Sequence, residues 1–269
     1  MTVNVFNQAL TSEKTEFMRA ILNKLKLGLT GGFDAPPPRP STPVCVVGDI
    51  HGMDRLLRGM IDYIGEQQGS EKVRIVFVGD LIDRGMESAK VLDRMRRLVR
   101  EADGRIIVLM GNHERMLLDF LRDPLRVGMR WIDAGGSETL RSFGIDPYGT
   151  TDLGLIAGEL RSAIGGDIER WLRTLPLYWQ EGNLAVTHAG ATPNLPMARQ
   201  TERALLWGDR EFGSMPRKDG LWIAHGHTIV EQPVCENGRI SVDTGAFQSG
   251  LLSAAWIDRA GVRFISVRD

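Results

Sequence analysis

One short pattern recurs six times between residues 44 and 245, and it constrains the fold more than any other feature. A run of four to six apolar, often β-branched residues ends abruptly in a turn that contains glycine or a residue able to bind a metal ion. The runs are VCVV, VRIVFV, RIIVLM, LAVT, LWIA and RISV. Runs of this length and composition are typical of buried β-strands, so the sequence predicts six strands with polar turns at their carboxyl ends.

The spacing of the first three runs predicts a parallel arrangement. Helical patterns at 53–67, 86–101 and 113–122 follow the first three turns, and strand–helix–strand units of this spacing form parallel crossovers. Ligands bind beyond the carboxyl ends of strands in such sheets, so the polar turns are expected to converge. After about residue 180 the strands follow one another with fewer helices, through LSAAWID and VRFISV. This part predicts a second, mainly antiparallel sheet packed on the first.

Residues 1–43 are predicted to be an appendage to a domain that spans residues 44–269. Apolar spacing in residues 13–29 predicts a helix, and the proline-rich segment 35–43 has the composition of an extended linker. Two roles stay open for the helix. It could dock to a partner or a membrane surface, or it could pack on the domain or fray in solution.

Composition and charge exclude several classes of protein. The chain has 269 residues, 42% of them hydrophobic, with 33 basic against 34 acidic residues, so no nucleic-acid partner is expected. Two cysteines without a CxxC pair exclude a disulfide framework, and Cys45 is expected to be a buried thiol within VCVV. No signal-peptide pattern or membrane-spanning apolar run is present, so we expect a cytoplasmic protein without a transmembrane segment.

All histidines of the chain fall in the predicted strand-end turns. These residues are His51, His113, His188, His225 and His227. Imidazole combined with carboxylate and amide oxygen, without thiolate, suits Mn, Fe or Zn. Two such ions ~3.5–4 Å apart can clamp a phosphoryl group and lower the pKa of a bound water. The clustering therefore favours a phosphoesterase that uses two metal ions.

At these turns the chain resembles a known family. GDIHG (48–52), GDLIDRG (79–85) and GNHE (111–114) resemble the three signature blocks of the phosphoprotein phosphatases, which lie within the calcineurin-like metallophosphoesterases. HAG (188–190) and GHT (226–228) resemble their later histidine motifs, and WIDAGGSETLRSFG (131–144) resembles the bacterial branch. The resemblance implies an α/β sandwich of two mixed β-sheets flanked by helices.

The resemblance also implies the metal ligands and the cofactor. The first metal would be held by Asp49 and His51, and Asp80 would bridge both ions. The ligands that complete the second metal would be Asn112, His188 and His227. The cofactor would be two divalent ions, with Mn expected and Fe or Zn as alternatives.

Further residues are assigned by the same resemblance to the reaction itself. His113 would protonate the leaving oxygen as general acid, and Asp83 would orient its ring. Arg84 would bind phosphate oxygens through its planar guanidinium fork, with Asn112 also at the phosphate. Arg210 is the candidate for a second phosphate-binding arginine, although its spacing from Trp207 is shifted by one residue from the bacterial pattern.

Three functions remain open from the sequence. The first is a serine/threonine-type protein phosphatase, or a related enzyme that hydrolyses small phosphate monoesters. The alternative is a symmetrical dinucleoside tetraphosphate hydrolase. Those enzymes typically carry other residues where this chain has Asp83, Arg84 and Glu114, so these residues favour monoester chemistry. The third is a catalytically inactive binding module on the same fold, against which the complete ligand set and His113 argue.

Three nearby residues are less constrained by the pattern. His225 could be a ligand, a supporting group or a bystander. Asp243 is expected to be structural. Glu114 is expected to cap or support the third turn.

Overall fold

A computed structural model of the chain describes residues 2–6, 32–67 and 72–269. Within these residues two mixed β-sheets pack face to face and helices cover their outer faces, which confirms the predicted architecture. The helix predicted at 13–29 lies outside the described residues. Among the described helices, none is long and apolar enough to cross a membrane.

Eleven strands are described, numbered in chain order. They are β1 (Thr2–Phe6), β2 (Val44–Val47), β3 (Arg74–Phe77), β4 (Ile106–Val108), β5 (Tyr178–Glu181), β6 (Leu184–Thr187), β7 (Trp222–His225), β8 (Val234–Glu236), β9 (Arg239–Ser241), β10 (Leu251–Asp258) and β11 (Gly261–Arg268). The first sheet has the order β1-β11-β10-β2-β3-β4, and the second has the order β5-β6-β7-β9-β8. The six predicted strands are β2, β3, β4, β6, β7 and β9.

The first sheet contains the parallel unit that the spacing predicted. Strands β2, β3 and β4 run parallel, and β10 pairs antiparallel with β2. Three helices follow the three parallel strands, namely α1 (Asp54–Gln67), α2 (Ser88–Glu101) and α3 (Asn112–Arg122). They begin within two residues of the predicted positions, so the crossover prediction is confirmed.

The prediction of a mainly antiparallel second sheet is wrong. Its central strands β6, β7 and β9 run parallel, and the two C-terminal strands complete the first sheet instead. The physical reason lies in β10, whose residues alternate between two cores. Ala254 and Trp256 face the helix-covered core, whereas Ala255 and Ile257 face the core between the sheets. A strand buried on both faces is stable inside a sheet, beside β2.

The residues of β2 also alternate between the two cores, which places this strand between the helices and the second sheet. Cys45 and Val47 pack under the helices, and Val44 and Val46 pack against the second sheet. Cys45 is fully buried as predicted, and this burial raises the pKa of its thiol to about 12.

The remaining helices cover the outer faces of the sheets. They are α4 (Pro124–Trp131), a π-helical turn (Ile132–Gly136), α5 (Ser137–Ser142), α6 (Leu153–Arg173), a 3-10 turn (Met197–Arg199), α7 (Glu202–Trp207) and α8 (Ala246–Ser249). Trp131 and Trp171 are core residues among them.

Residues 32–43 pack against the second sheet. The Phe33 ring lies edge-on to the ring of Trp222 at 5.0 Å, and the Trp222 indole N–H donates to the carbonyl of Pro36 at 2.9 Å. Ser41 donates to the Glu181 carboxylate. The domain boundary at residue 43 stays a prediction, but the proline-rich segment is in contact with the domain.

Candidate metal centre

The polar turns at the strand ends are joined to one another by hydrogen bonds. The backbone N–H groups of Ile50 and His51 donate to the carbonyl of Asp80 at 3.1 and 2.9 Å, which ties the turn after β2 to the turn after β3. The N–H of Gly226 donates to the carbonyl of His188 at 2.8 Å, which ties the two turns of the second sheet. The turns therefore converge between the sheets, as the parallel arrangement predicts.

Several residues of these turns have a positive φ angle, which residues other than glycine rarely adopt. Seven non-glycine residues of the described chain have positive φ, and five of them are predicted site residues. These five are His51, Asp80, Asp83, Arg84 and His227, with φ between 45° and 71°. Such strain persists only where the surrounding contacts fix it, and it concentrates at functional sites.

Two glycines allow the turns to approach each other closely. A Cβ atom on Gly111 would collide with the side chain and backbone of Asp80, and one on Gly226 would collide with the Asp49 carboxylate. Any other residue at either position would push a carboxylate away from the centre.

One group of donor atoms converges on the second-sheet side of the centre. The Nε2 atom of His188 lies 2.8 Å from Asn112 Oδ1, 3.2 Å from His227 Nδ1 and 3.5 Å from Asp80 Oδ2. The ligand atoms of Asp80, His188 and His227 all lie within 4.8 Å of one another. This is the set that was predicted for the second metal, gathered around one point.

A second group lies on the first-sheet side and shares Asp80. It contains His51, Asp80 and His113, whose ligand atoms also lie within 4.8 Å of one another. Asp49 is buried next to it, and its carboxylate accepts the N–H of His227 at 3.1 and 3.2 Å. The structure thus brings all six predicted ligands to one centre, and it adds His113 to the donors that face it.

Backbone carbonyls orient two of the imidazole rings. The Nδ1 atom of His51 lies 2.8 Å from the carbonyl of Ile82, and Nδ1 of His188 lies 3.1 Å from the carbonyl of Val78. A carbonyl accepts only from an N–H, so each ring carries its proton on Nδ1 and turns the Nε2 lone pair toward the centre.

The electrostatics of the centre fit divalent cations. Burial lowers the pKa of His51 to about 3 and that of His188 to about 4, so both rings are neutral at pH 7, as metal ligands must be. Burial, together with the nearby charges of Asp243 and Asp80, raises the pKa of Asp49 well above its usual range. Buried carboxylates that repel one another are stabilised when cations lie between them.

Asp83 is held by three side-chain donors. The Nδ1 atom of His113 lies 2.7 Å from Asp83 Oδ2, to which the indole N–H of Trp131 also donates at 2.9 Å. The Thr139 hydroxyl donates to Asp83 Oδ1 at 2.6 Å. The sequence did not indicate that Trp131 or Thr139 would contact Asp83. The similarity of segment 131–144 to the bacterial branch was the only signal for them.

Arg84 extends from the same turn toward the centre. Its backbone N–H donates to the carbonyl of Gly135 at 3.1 Å, and its guanidinium lies 4.8 Å from the centre of the Phe247 ring. The Phe247 ring in turn lies edge-on to that of His51 at 5.3 Å. The exposed, fixed positive charge beside the donor groups suits an anionic ligand.

Glu114 stabilises the turns that carry the donor groups. Its buried carboxylate accepts the backbone N–H groups of Asp80, Leu81 and Gly111 at 2.8–3.0 Å, joining the second turn to the third. Burial and the charge of Asp80 raise its pKa to about 8.

His225, Asp243 and Arg210 lie near the centre but belong to neither donor group. The ring of His225 contacts the carbonyl of Gly226 and the hydroxyl of Ser241, each at 3.0 Å, so it supports the wall of a cleft. Asp243 accepts the N–H of Gly245 at 2.8 Å and fixes a turn. Arg210 lines the same cleft together with His227.

The fold and the site place the chain in a known class. Residues 42–231 match the family described as calcineurin-like phosphoesterase, and the chain belongs to that family. The part of the resemblance that concerned this wider family is confirmed.

Two sequence relatives and one solved structure illustrate what the chain is similar to. The asymmetrical bis(5'-nucleosyl)-tetraphosphatase PrpE of Oceanobacillus iheyensis is 29% identical over 231 residues, covering 78% of this chain and 86% of the relative. The symmetrical bis(5'-nucleosyl)-tetraphosphatase of Aromatoleum aromaticum is 33% identical over 172 residues, covering 62% of this chain and 52% of the relative. A solved structure of a putative diadenosine tetraphosphatase has a TM-score of 0.60 at 24% identity, covering 86% and 95% of the two chains, and shows the same fold.

Proposed function

We propose that this chain is a dinuclear metal-dependent hydrolase of dinucleoside polyphosphates. The observation that carries the catalytic part is the pair of donor groups that share Asp80, one of which includes His113. The names of the sequence relatives support the substrate class, and they favour the dinucleotide alternative over a protein phosphatase. The proposed ligands are Asp49, His51, Asp80, Asn112, His188 and His227.

The ions supply a water of lowered pKa and neutralise charge on the phosphoryl oxygens when they are bound. Asp80 lies between the two donor groups and is the residue that would contact both ions. Manganese is the proposed metal, since imidazole and oxygen donors without thiolate suit it.

The side chains around the donors act on the substrate. Arg84 binds phosphoryl oxygens with two parallel N–H donors, and Asn112 and Arg210 are the further proposed phosphate contacts. Asp83 accepts a hydrogen bond from the Nδ1–H of His113, so Nε2 is the atom that would deliver a proton to the leaving oxygen. In a dinucleoside polyphosphate that oxygen belongs to the departing nucleotide.

A serine/threonine-type protein phosphatase is the second candidate. The ordered Asp83–His113 pair favours it, because an alkoxide leaving group depends strongly on protonation. A hydrolysis panel on the manganese-loaded full chain separates the candidates. We expect kcat/KM for diadenosine tetraphosphate to exceed that for phosphoserine and phosphothreonine peptides. The reverse order would replace the dinucleotide proposal by the protein phosphatase.

The products of the same assay define the bond that is cleaved. Symmetrical hydrolysis of diadenosine tetraphosphate gives two molecules of ADP, whereas asymmetrical hydrolysis gives ATP and AMP. Chromatography of the products distinguishes these outcomes without any change of protein.

Chelation is expected to abolish hydrolysis. Protein treated with EDTA and then desalted should lose activity on p-nitrophenyl phosphate, and added Mn²⁺ should restore it, because the donor groups must hold ions for the water to react. The metal content of each sample is measured by elemental analysis. Full activity in verified metal-free protein would refute the mechanism.

Removal of the Thr139 hydroxyl is expected to lower kcat. Thr139→Val keeps the shape of the side chain but loses the donor to Asp83 Oδ1, so Asp83 holds the His113 ring less firmly. Outer hydrogen-bond partners of a catalytic site contribute about 10- to 100-fold, and we expect a loss near the lower figure with KM little changed.

The matched control for this variant is Thr139→Ser, which keeps the hydroxyl and should retain most of the activity. Steady-state kinetics and thermal unfolding of both variants test the role. Equal losses in Thr139→Ser and Thr139→Val would assign Thr139 to packing instead.

A further inference from the structure

A cleft of about 730 Å³ opens beside the metal centre. It is bounded by the segment that follows α7 and by the ends of β7 and β9. His227 belongs both to this cleft and to the second donor group, so the two are continuous. A substrate whose phosphoryl group lies on the metals would therefore extend into this space.

An exposed aromatic side chain forms part of the cleft wall. Trp207 ends α7 and is 37% exposed, although it is a large apolar residue. A partly exposed indole that lines a polar cleft can serve as a stacking surface for a nucleobase, which presents an aromatic face of similar size.

Three arginines contribute positive charge to the same cleft, namely Arg203, Arg210 and Arg239. Among residues 32–67 and 72–269, none of their guanidinium groups lies within 4.0 Å of a carboxylate. By contrast, Arg94 and Arg217 form ion pairs with aspartates elsewhere in the fold. Guanidinium groups left without a carboxylate in a concave site suit phosphate oxygens.

The inner arginine of the cleft is already oriented. Arg239 donates through Nη1 to the carbonyl of Phe212 at 2.6 Å, and partial burial lowers its pKa. The acidic residue Asp209 is engaged by the Thr192 hydroxyl at 2.8 Å and by the N–H of Glu211 at 2.9 Å. Glu211 is the other carboxylate in the lining. The basic groups of the cleft are thus more available to a ligand than Asp209 is.

We infer that this cleft binds the nucleoside of the substrate and the phosphates next to it, with the base on Trp207 and the phosphates on Arg203 and Arg239. This inference rests on the proposed function and assigns the part of the substrate that the metal centre does not hold. A phosphopeptide has a single phosphate, which Arg84 and the proposed ions would suffice to bind. The cleft's additional cations and its aromatic face match a nucleotide chain better.

The test measures binding and turnover in the same set of variants. Binding is measured by calorimetry on manganese-loaded full chain, with a diadenosine tetraphosphate analogue whose bridging oxygens are replaced by methylene groups. Stacking of one base contributes ~1–3 kcal/mol, so Trp207→Ala should raise the Kd of the analogue about tenfold. Trp207→Phe, which keeps an aromatic face, should recover most of the affinity.

Turnover gives an independent readout of the same contact. For Trp207→Ala and Arg203→Ala, the ratio of kcat/KM on diadenosine tetraphosphate to kcat/KM on p-nitrophenyl phosphate should fall about tenfold, since the small ester does not reach the cleft. Tyr148→Ala and Arg259→Ala are the matched controls, because both residues are exposed and neither lines the cleft. They should keep the wild-type ratio.

The outcomes separate this inference from the proposed function. If wild-type protein binds the analogue through Trp207 but hydrolyses no dinucleotide, the inference stands and the proposed activity fails. If the wild type hydrolyses dinucleotides while Trp207→Ala changes neither Kd nor the ratio, the nucleoside lies elsewhere and the inference is overturned. Binding of a phosphothreonine peptide that depends on Trp207, without binding of the analogue, would also overturn it.

Discussion

Asp80→Asn is expected to reduce the metal content of the protein from two ions to one or none and to lower hydrolysis by at least about 10²-fold. Substitution of a residue that only orients a metal ligand typically lowers metal affinity or activity by about 10- to 100-fold. Asp80 is itself the carboxylate common to both donor groups, so a larger effect is expected. Its Oδ2 atom lies 3.5 Å from Nε2 of both His51 and His188. The amide keeps the size of the side chain but removes the negative charge that both cations would share.

Asp243→Asn is the matched control for this substitution. Asp243 is also buried near the centre, and burial raises its pKa to about 6, but it belongs to neither donor group. We expect it to keep both ions, as measured by elemental analysis alongside thermal unfolding. If Asp80→Asn retained two ions and full activity, the bridging assignment would be wrong. If both variants lost metal equally, general disruption of the turns would be the cause.

The sequence was sufficient to predict the strand-end turns, because their signal is local. Each apolar run and its polar turn are adjacent in the chain, and parallel crossovers bring such turns to one edge. This predicted the neighbourhood of Asp49, His51, Asp80, Asn112 and His188. The functional assignment of each residue stays a prediction, since geometry without bound ions places donors but tests no role.

The partner of a strand is not a local property, and that is where the fold prediction failed. LSAAWID has apolar residues on both faces and would be buried in either sheet. Only the packing of Trp256 under the helices and of Ile257 between the sheets decides that β10 lies beside β2. Likewise, Trp131 and Thr139 reach Asp83 from 48 and 56 residues away, so their hydrogen bonds could not be inferred from spacing.

The sequence motifs also do not determine the substrate class, for a chemical reason. The residues of the proposed metal centre would bind the phosphoryl group, which monoesters and polyphosphates have in common. The leaving part of the substrate would contact other surfaces, such as the cleft beside Trp207. The Asp83–Arg84 pair therefore does not by itself distinguish a monoester from a polyphosphate substrate.

His113→Asn is expected to lower kcat by about 10²- to 10⁴-fold on substrates with poor leaving groups, while KM changes little. A general acid is needed when the leaving oxygen requires a proton, and asparagine cannot supply one. The loss should shrink for p-nitrophenyl phosphate, because p-nitrophenolate leaves without protonation. Kinetics on phenyl phosphate and p-nitrophenyl phosphate make this comparison within one chemical class.

The metal content of the same variant decides between two roles that the geometry allows. His113 Nδ1 is bound to Asp83, but its Nε2 lies 3.9 Å from Asp80 Oδ2 and faces the donors of the first group. A general acid can be replaced without loss of metal, and the resulting decrease in kcat depends on the leaving group. Replacement of a metal ligand removes a bound ion, and kcat then falls equally on both substrates. Two retained ions with a leaving-group-dependent loss would support the general acid, whereas one missing ion with equal losses would make His113 a ligand and Asp83 the group that orients it toward the metal.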